Sequence, residues 1–501
     1  MTVDLATVGS LVGALGLATL MLAPARVARA LGLVGWAIGA GMLALSVAPH
    51  GHHAELAGAA LVGIGCAGAL AWLFVRVPWA LAVAVLACAP ARIPVSRLGS
   101  AAGAKANLLL PLYVVVAGAA LSLAWQLYRG DHRRRELGPF AWPLALFVFW
   151  DGLALSWSRA GAGQGRHAGA VDLLFYVLPL GLLAVSLARL PWSLAWVKRL
   201  YVQLTAMALA FAAVAVWQYF ARDIFWNTKV RVDNVYAPSR WFFRVNSIFY
   251  DPSIYGRFVV VAIAASLVLV LFAPGRAAWA GAALASAAMI GLIPSFSQSS
   301  FVALGVVIVA ALVVLWRRRA VAPLVAALVV ALGLSLGVPQ IRHRILGDAG
   351  IQRATGDRSS LVKQGAKLFL HHPLVGVGTG SFAPALAAAT PKHSVKLSAS
   401  HDAPITVAAE TGLPGLALLL WLLGLVFTVP FRRNRGQSPI ARARLCFGLG
   451  LVAIVVHTLF YNALFEDPLF WALIALSAVA AREPDSGGDP AVTSASEVLG
   501  Q

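Results

Sequence analysis

Apolar runs of roughly 15 to 22 residues recur along most of the chain, each closed by Pro, Gly or Arg. Runs of that length cross a bilayer as helices, because every backbone polar group must find its partner inside the segment. The spans read roughly as residues 5–22, 30–48, 56–75, 77–91, 107–128, 140–157, 170–188 and 200–220. They resume at 257–273, 278–296, 300–316 and 320–337, and again at 410–430, 445–461 and 466–481. Two of these, 77–91 and 466–481, are short enough to be tilted, re-entrant or paired, so the expectation is about fourteen crossings within a range of about 12 to 15. The fold class expected is an all-α polytopic membrane protein with a large, partly helical extracytoplasmic loop. The first run, Leu5 to Leu22, has no positive segment before it and no clear cleavage site, and reads as a retained helix.

Charge orients the spans. Arg133-Arg134-Arg135, Lys198-Arg199, Arg317-Arg318-Arg319 and Arg432-Arg433 with Arg435 all fall on one side of the alternating count. By the positive-inside rule that side is cytoplasmic. The opposite face then receives the loop from Ala221 to Gly256, the turn near Ser297–Ser299, the segment from about 338 to 409, and Asn462–Asp467. The organisation expected is 1–220 N-terminal membrane helices, 221–256 an extracytoplasmic loop, and 257–337 further membrane helices. There follow 338–409, a large extracytoplasmic catalytic loop, 410–481, the C-terminal membrane helices, and 482–501, a disordered cytoplasmic tail.

Composition agrees with this picture. The chain has 501 residues, 60% hydrophobic and 12% charged, with mean hydropathy +0.82. A formal charge of +20 invites a nucleic-acid reading, but no soluble domain is left to present a basic face. Cys66, Cys88 and Cys446 all fall in expected helices, so no disulfide framework is implied. No internal repeat is visible. Gly376-Val377-Gly378-Thr379-Gly380 does not follow an expected strand, which argues against a dinucleotide loop, and no cofactor is implied.

The positive-inside rule is broken in an informative place. The 339–409 segment carries Arg342, Arg344, Arg353, Arg358, Lys363, Lys367, Lys392 and Lys396 against Asp348, Asp357 and Asp402, a balance of +5. The 221–256 loop adds Arg222, Lys229, Arg231, Arg240 and Arg244 against Asp223, Asp233 and Asp251, a balance of +2. Long loops escape the rule, and loop charge also meets solvent or anionic lipid head groups. As a cluster, though, these cations suit a phosphate-bearing ligand, which Arg binds bidentately. Arg257 opens an apolar helix and either snorkels to the interface or faces the bundle interior, where an ionisable residue is a functional candidate. Between Ser359 and His371, Leu361, Val362, Leu368 and Phe369 oppose Lys363, Gln364 and Lys367. That is the pattern of an amphipathic helix on the membrane surface, or of one that covers the bundle.

His401 follows Ser398-Ala399-Ser400 and precedes a helix start. An imidazole titrating near neutrality suits removal of a hydroxyl proton, although a lone loop histidine is more often structural. Asp402, Glu410, Glu466 and Asp467 are all candidates to orient it. His371-His372 and the His50, His52, His53 group lack zinc-ligand spacing and company, so no metal site is expected.

Taken in order, His372-Pro373-Leu374-Val375-Gly376-Val377-Gly378-Thr379-Gly380-Ser381-Phe382, then His401, then Ala409-Glu410-Thr411-Gly412-Leu413-Pro414-Gly415, resemble the O-antigen ligase and O-antigen polymerase superfamily of bacterial membrane glycosyltransferases. Arg244-Val245-Asn246-Ser247-Ile248-Phe249-Tyr250-Asp251-Pro252-Ser253 is similar to the family's upstream Arg segment. The resemblance covers roughly residues 240 to 430. It implies a helical bundle in the bacterial inner membrane with an active site on the extracytoplasmic side. It further implies transfer of a glycan from a polyprenyl-diphosphate carrier, such as undecaprenyl diphosphate, to a glycan, lipid or protein acceptor hydroxyl, with inversion and without a metal. His401 takes the base role and Glu410 orients it or fixes the loop at the helix start. Arg244, Arg257 and Arg358 take the diphosphate, whose developing charge positioned guanidinium forks stabilise most in the transition state. Two departures stand out: Asp402 replaces the usual Asn after the histidine, and Phe296-Ser297-Gln298-Ser299-Ser300 lacks the Arg of the family's Ser-Arg-Gly stretch.

Ligase and polymerase share these motifs and differ in acceptor; ligase is the reading preferred here, polymerase its alternative. The rival from another class is a transporter or flippase of an anionic lipid-linked glycan. Inverted repeats and mid-membrane ionisable residues would favour it; no repeat is visible, and the ionisable residues lie mainly at the extracytoplasmic edge.

Overall fold

The computed structural model describes residues 4–48, 53–95, 106–130, 136–158, 164–224, 243–316, 358–389, 400, 402–432 and 438–483. Outside the described residues lie the expected span 320–337, the Arg133–Arg135 and Arg317–Arg319 runs, Lys229, Arg231 and Arg240, the tail beyond 483, and much of the 338–409 segment, with Arg342, Arg344, Arg353, Lys392, Lys396 and His401.

The N-terminal helices are α1 (Leu5–Leu22), α2 (Arg26–Val47), α3 (His53–Arg76), α4 (Ala80–Cys88) and α5 (Leu110–Tyr128). Then come α6 (Ala141–Ala154), α7 (Gln164–Asp172), α8 (Leu178–Ala188) and α9 (Leu194–Ala221). The second half holds α10 (Pro252–Phe272), α11 (Arg276–Leu292), α12 (Gln298–Trp316), α13 (Arg358–His371), α14 (Phe382–Ala389), α15 (Ala403–Val426), α16 (Pro439–Thr458) and α17 (Pro468–Arg482). Among the described residues, eleven helices or joined helices are long and apolar enough to cross a membrane, with shorter apolar helices at Gly63–Arg76 and Pro468–Arg482. The protein is an all-α polytopic membrane protein. Among the described residues the strands are one antiparallel pair, β1 (Ile93–Val95) against β2 (Ala106–Leu108), with Ile93 opposite Leu108.

Several helix starts are written as a capping residue followed by proline. Asp251, Asp467 and Ser438 each accept a hydrogen bond from a backbone N–H of the first turn, with Pro252, Pro468 and Pro439 at the first helical position. Proline has no N–H to orphan there, and its fixed φ suits the helix. α1 and α2 approach closely through Gly9, Gly13 and Gly16 against Gly32, Gly35 and Gly39, where a methyl group would meet the facing backbone. Small residues at that spacing let apolar helices pack where lipid removes the hydrophobic drive. α10 is buried along nearly all its first four turns, and α16 and α17 are buried likewise, so these three form the centre. α2, α9 and α11 have only 28% of their apolar windows buried and face outward.

α13 confirms the amphipathic element expected before His371. Its Leu361 packs with Phe382, Leu386 and Ala409, with Leu368 beside them, while Lys363 and Lys367 point outward. It therefore covers α14 and the start of α15.

Candidate functional site

The local chemistry of α15 builds the site. Gly412 has φ 67 and ψ −162, a conformation that interrupts the helix. Pro414, two residues on, has no N–H to give the carbonyl of Glu410. The helix thus loses its ladder over one turn, and buried backbone groups so released need other partners. The segment 372–382 supplies them. Val377 N donates to Ala409 O at 2.9 Å, Gly378 N to Glu410 O at 2.9 Å, and Leu413 N to Pro373 O at 2.8 Å. The two motifs are halves of one joint.

The joint needs its glycines for contact as well as conformation. Gly376 has φ 70, and a Cβ there would lie 2.3 Å from the Glu410 carbonyl. A Cβ on Gly412 would lie 2.6 Å from Leu374 O. The end of α6 braces the other side. Trp150 Nε1 donates to Thr411 O at 2.8 Å, and Trp157 Nε1 to Val375 O at 3.1 Å. Thr379 Oγ1 donates toward the Asp151 carboxylate and carbonyl at 2.8 Å, and Ser158 Oγ donates to Thr379 O at 3.1 Å. Glu410 Oε1 accepts from Phe382 N, the first residue of α14, at 2.9 Å. A carboxylate at a helix start is favourably placed by the local dipole. Glu410 thereby fixes the glycine turn at its exit.

Beside this joint opens a cavity of about 240 Å³. Asp151, Asp172, Glu410 and Glu466 line it together with Tyr176 and Asn462. Asp172 stands where α7 passes into a π-turn over Leu173–Val177, a distortion frequent at functional positions. Glu466 and Asp467 connect the cavity to two arginines. Arg92 Nη2 donates to Glu466 O at 2.8 Å, and its Nη1 lies 3.7 Å from the Glu466 carboxylate. Arg257 Nε lies 2.8 Å from Asp467 Oδ2. Burial pushes the Glu466 carboxyl up, while Arg92 and Arg257 pull it back down.

The candidates read from sequence distribute as follows. Arg257 faces the bundle interior at 2% exposure, and its Nη1 has no hydrogen-bond partner among the described residues. Arg244 Nε donates to Ser295 O at 3.0 Å, and Val245 N to Pro294 O at 3.1 Å, tying the segment before α10 to the end of α11. Where the family's Ser-Arg-Gly arginine is lacking, Ser297, Ser299 and Ser300 are buried, and Ser299 Oγ lies 3.0 Å from His457 Nε2. Glu410 lines the cavity. Arg358 is the first residue of α13. His401 lies outside the described residues; of its chain neighbours, Ser400 bonds Thr406 at 2.7 Å, and Asp402 caps α15 by accepting from Ile405 N at 2.9 Å. Burial raises the Asp402 carboxyl, opposed by that N–H.

Arg92, Asp172, Asp151 and His457 were not among the candidates. A signal existed for three of them. Asp151, Asp172 and His457 each interrupt an apolar run, and an ionisable residue within a membrane span is a functional candidate by default. Arg92 sits in an ordinary turn sequence and carried none.

Residues 282–420 match the family model described as O-Antigen ligase. The matched stretch runs from α11 to α15 and contains the glycine turn, Glu410 and the Gly412 break. It supports membership of the O-antigen ligase and polymerase superfamily, and with it a glycosyl-transferring membrane enzyme that uses a lipid-linked glycan donor and an acceptor. No curated protein matches the chain.

Proposed function

We propose that the protein is an O-antigen ligase-type transferase of the bacterial inner membrane, which moves a glycan from a polyprenyl-diphosphate carrier to an acceptor hydroxyl at the extracytoplasmic end of the bundle. One observation carries this reading. The region that matches the ligase family folds into the joint between the glycine turn and the broken helix, and that joint walls a buried polar cavity.

In the reaction proposed, the acceptor oxygen attacks the anomeric carbon from the face opposite the carrier. The bond from that carbon to the diphosphate oxygen breaks, and the configuration inverts without metal assistance. His401 takes the acceptor's proton, and the diphosphate leaves as an anion held by Arg244, Arg257 and Arg358. Glu410 acts through structure, by fixing the turn that precedes His401. The surplus of Lys and Arg in the 221–256 and 339–409 segments supports the anionic leaving group. Arg257 and Arg92, paired with Asp467 and Glu466 in turn, flank one acidic pair from its two sides, so Arg92 joins the set that senses the diphosphate.

The test is glycan transfer in membranes holding the host's polyprenyl-diphosphate-linked glycan, with wild type, His401→Ala and Arg244→Ala at matched folded protein. Transfer by wild type, with a loss of at least about 100-fold in each variant, is the result expected for a general base and a charge-stabilising donor. Full transfer by His401→Ala overturns the base assignment. Movement of labelled donor across vesicles without transfer to any acceptor overturns the enzyme reading. Product chains extended in repeat units, rather than capped once onto a lipid, would identify the polymerase.

A further inference from the structure

At the end of the bundle that the positive runs assign to the cytoplasm, α3 and α5 finish side by side. Arg76 is the last residue of α3 and Arg129 follows the last residue of α5. Between them lies an open groove of about 390 Å³, lined by Ala71, Trp72, Val75, Leu121, Trp125 and the two arginines, with buried Ser122 at its base. Each guanidinium lies over a tryptophan of its own helix, Arg76 at 5.7 Å from the Trp72 ring and Arg129 at 4.8 Å from the Trp125 ring. Both tryptophans are open to the surroundings, at 65% and 44% exposure. Neither arginine forms an ion pair among the described residues.

Two cations at neighbouring helix C-termini first offset the partial negative charge of those ends, and Arg26 adds a third by donating to Tyr128 O. A chain of polar contacts also leads inward from the base of the groove. Gln126 Nε2 donates to Ser122 Oγ at 3.4 Å, and Arg189 Nε donates to Gln126 Oε1 at 2.8 Å. Beyond it Glu136 is gripped by Arg29 and Arg189 together, at 2.5 and 2.6 Å. That buried triad holds two positive charges against one negative. The acidic residue joined to the groove is thus already taken up, and among the described residues no carboxylate lines the groove, so the site favours an anion over an ammonium head group.

We propose that this groove binds an anionic phospholipid. Its phosphodiester lies between Arg76 and Arg129, and its acyl chains run along Ala71, Val75 and Leu121 toward the bilayer centre. Tryptophan at head-group depth and arginine that forks onto phosphate are the side chains such a site requires. The site lies at the opposite end of the bundle from the candidate active site and does not depend on the transfer reading.

The experiment uses the full chain in phosphatidylcholine vesicles with a trace of photoactivatable phosphatidylglycerol or, separately, photoactivatable phosphatidylcholine, and maps crosslinks by peptide mass spectrometry. Phosphatidylglycerol crosslinks concentrated at residues 71–76 and 121–129, above the phosphatidylcholine control, are expected. Loss of one arginine should lower them roughly fivefold, and Arg76→Gln with Arg129→Gln about thirtyfold. Arg76→Lys with Arg129→Lys, which keeps both charges and loses the forks, should fall between wild type and the double glutamine variant, which separates charge from folding. Equal crosslinking by the two lipids in wild type overturns the proposal, as does an undiminished signal in the folded double glutamine variant.

Discussion

The side chain of Glu410 and its backbone oxygen do separate jobs, and both face the same turn. The oxygen, deprived of a helical donor by Pro414, accepts from Gly378 N, while the carboxylate accepts from Phe382 N. Glutamine keeps an acceptor oxygen at the second place and removes the charge; alanine removes the acceptor. Glu410→Gln should therefore melt close to wild type in detergent, and Glu410→Ala should lose about 1–2 kcal/mol through a buried N–H left without its partner. If the two variants are equally destabilised, the charge itself is required and the acceptor role assigned here is wrong. Transfer assays on the same pair then separate function from fold, since a folded but inactive Glu410→Gln would give the carboxylate a part in the chemistry. The sequence allowed both readings of this residue. What it could not supply was the partner, because Phe382 lies 28 positions away and only the fold brings it near.

At the scale of elements, apolar run length located the spans that fall among the described residues, since length and apolarity are set by the bilayer and are written locally. It missed what the spans do where they are irregular. The run expected at 410–430 begins at Ala403 and is broken at Gly412. The run expected at 170–188 starts at Gln164 and carries the π-turn beyond Asp172. The short pairing of Ile93–Val95 with Ala106–Leu108 gives no apolar signal at all. The cavity is assembled from those irregularities, so it was legible as motifs and illegible as a place. The broken helix also makes a specific demand. Gly412→Ala puts a methyl group 2.6 Å from Leu374 O and disfavours the positive φ. The expected outcome is a loss of several kcal/mol, or a turn released from α15, visible as protease cleavage between residues 372 and 382 in folded, membrane-embedded protein. A Gly412→Ala protein with unchanged melting and unchanged protease resistance would mean that the joint is not what holds the turn.

For the whole molecule the decisive property is sidedness, because a lipid-linked glycan donor and its acceptor must be met on one face. Beyond the Gly412 break, where the glycine turn docks, α15 continues to Val426, about 21 Å of helix, and the chain runs on through Val429–Phe431 to Arg432, which sets the Arg432 end most of the apolar thickness away from the turn. Leu374, 71% exposed, marks the first end, and Arg432, also exposed, marks the second. The three native cysteines are free and can be replaced, so single cysteines at these two positions report separately. In intact spheroplasts a membrane-impermeant maleimide should label Leu374→Cys at once and Arg432→Cys only after permeabilisation. The physical ground is the distribution of Lys and Arg: positive runs resist translocation, and the runs beside Arg432 and Lys198 would all have to cross if the bundle were inverted. The opposite labelling pattern would put the cavity, the Glu466–Asp467 pair and both flanking arginines on the cytoplasmic face. The +5 and +2 balances of the 339–409 and 221–256 segments would then be ordinary cytoplasmic charge, and the argument from misplaced cations to an anionic leaving group would fall with them.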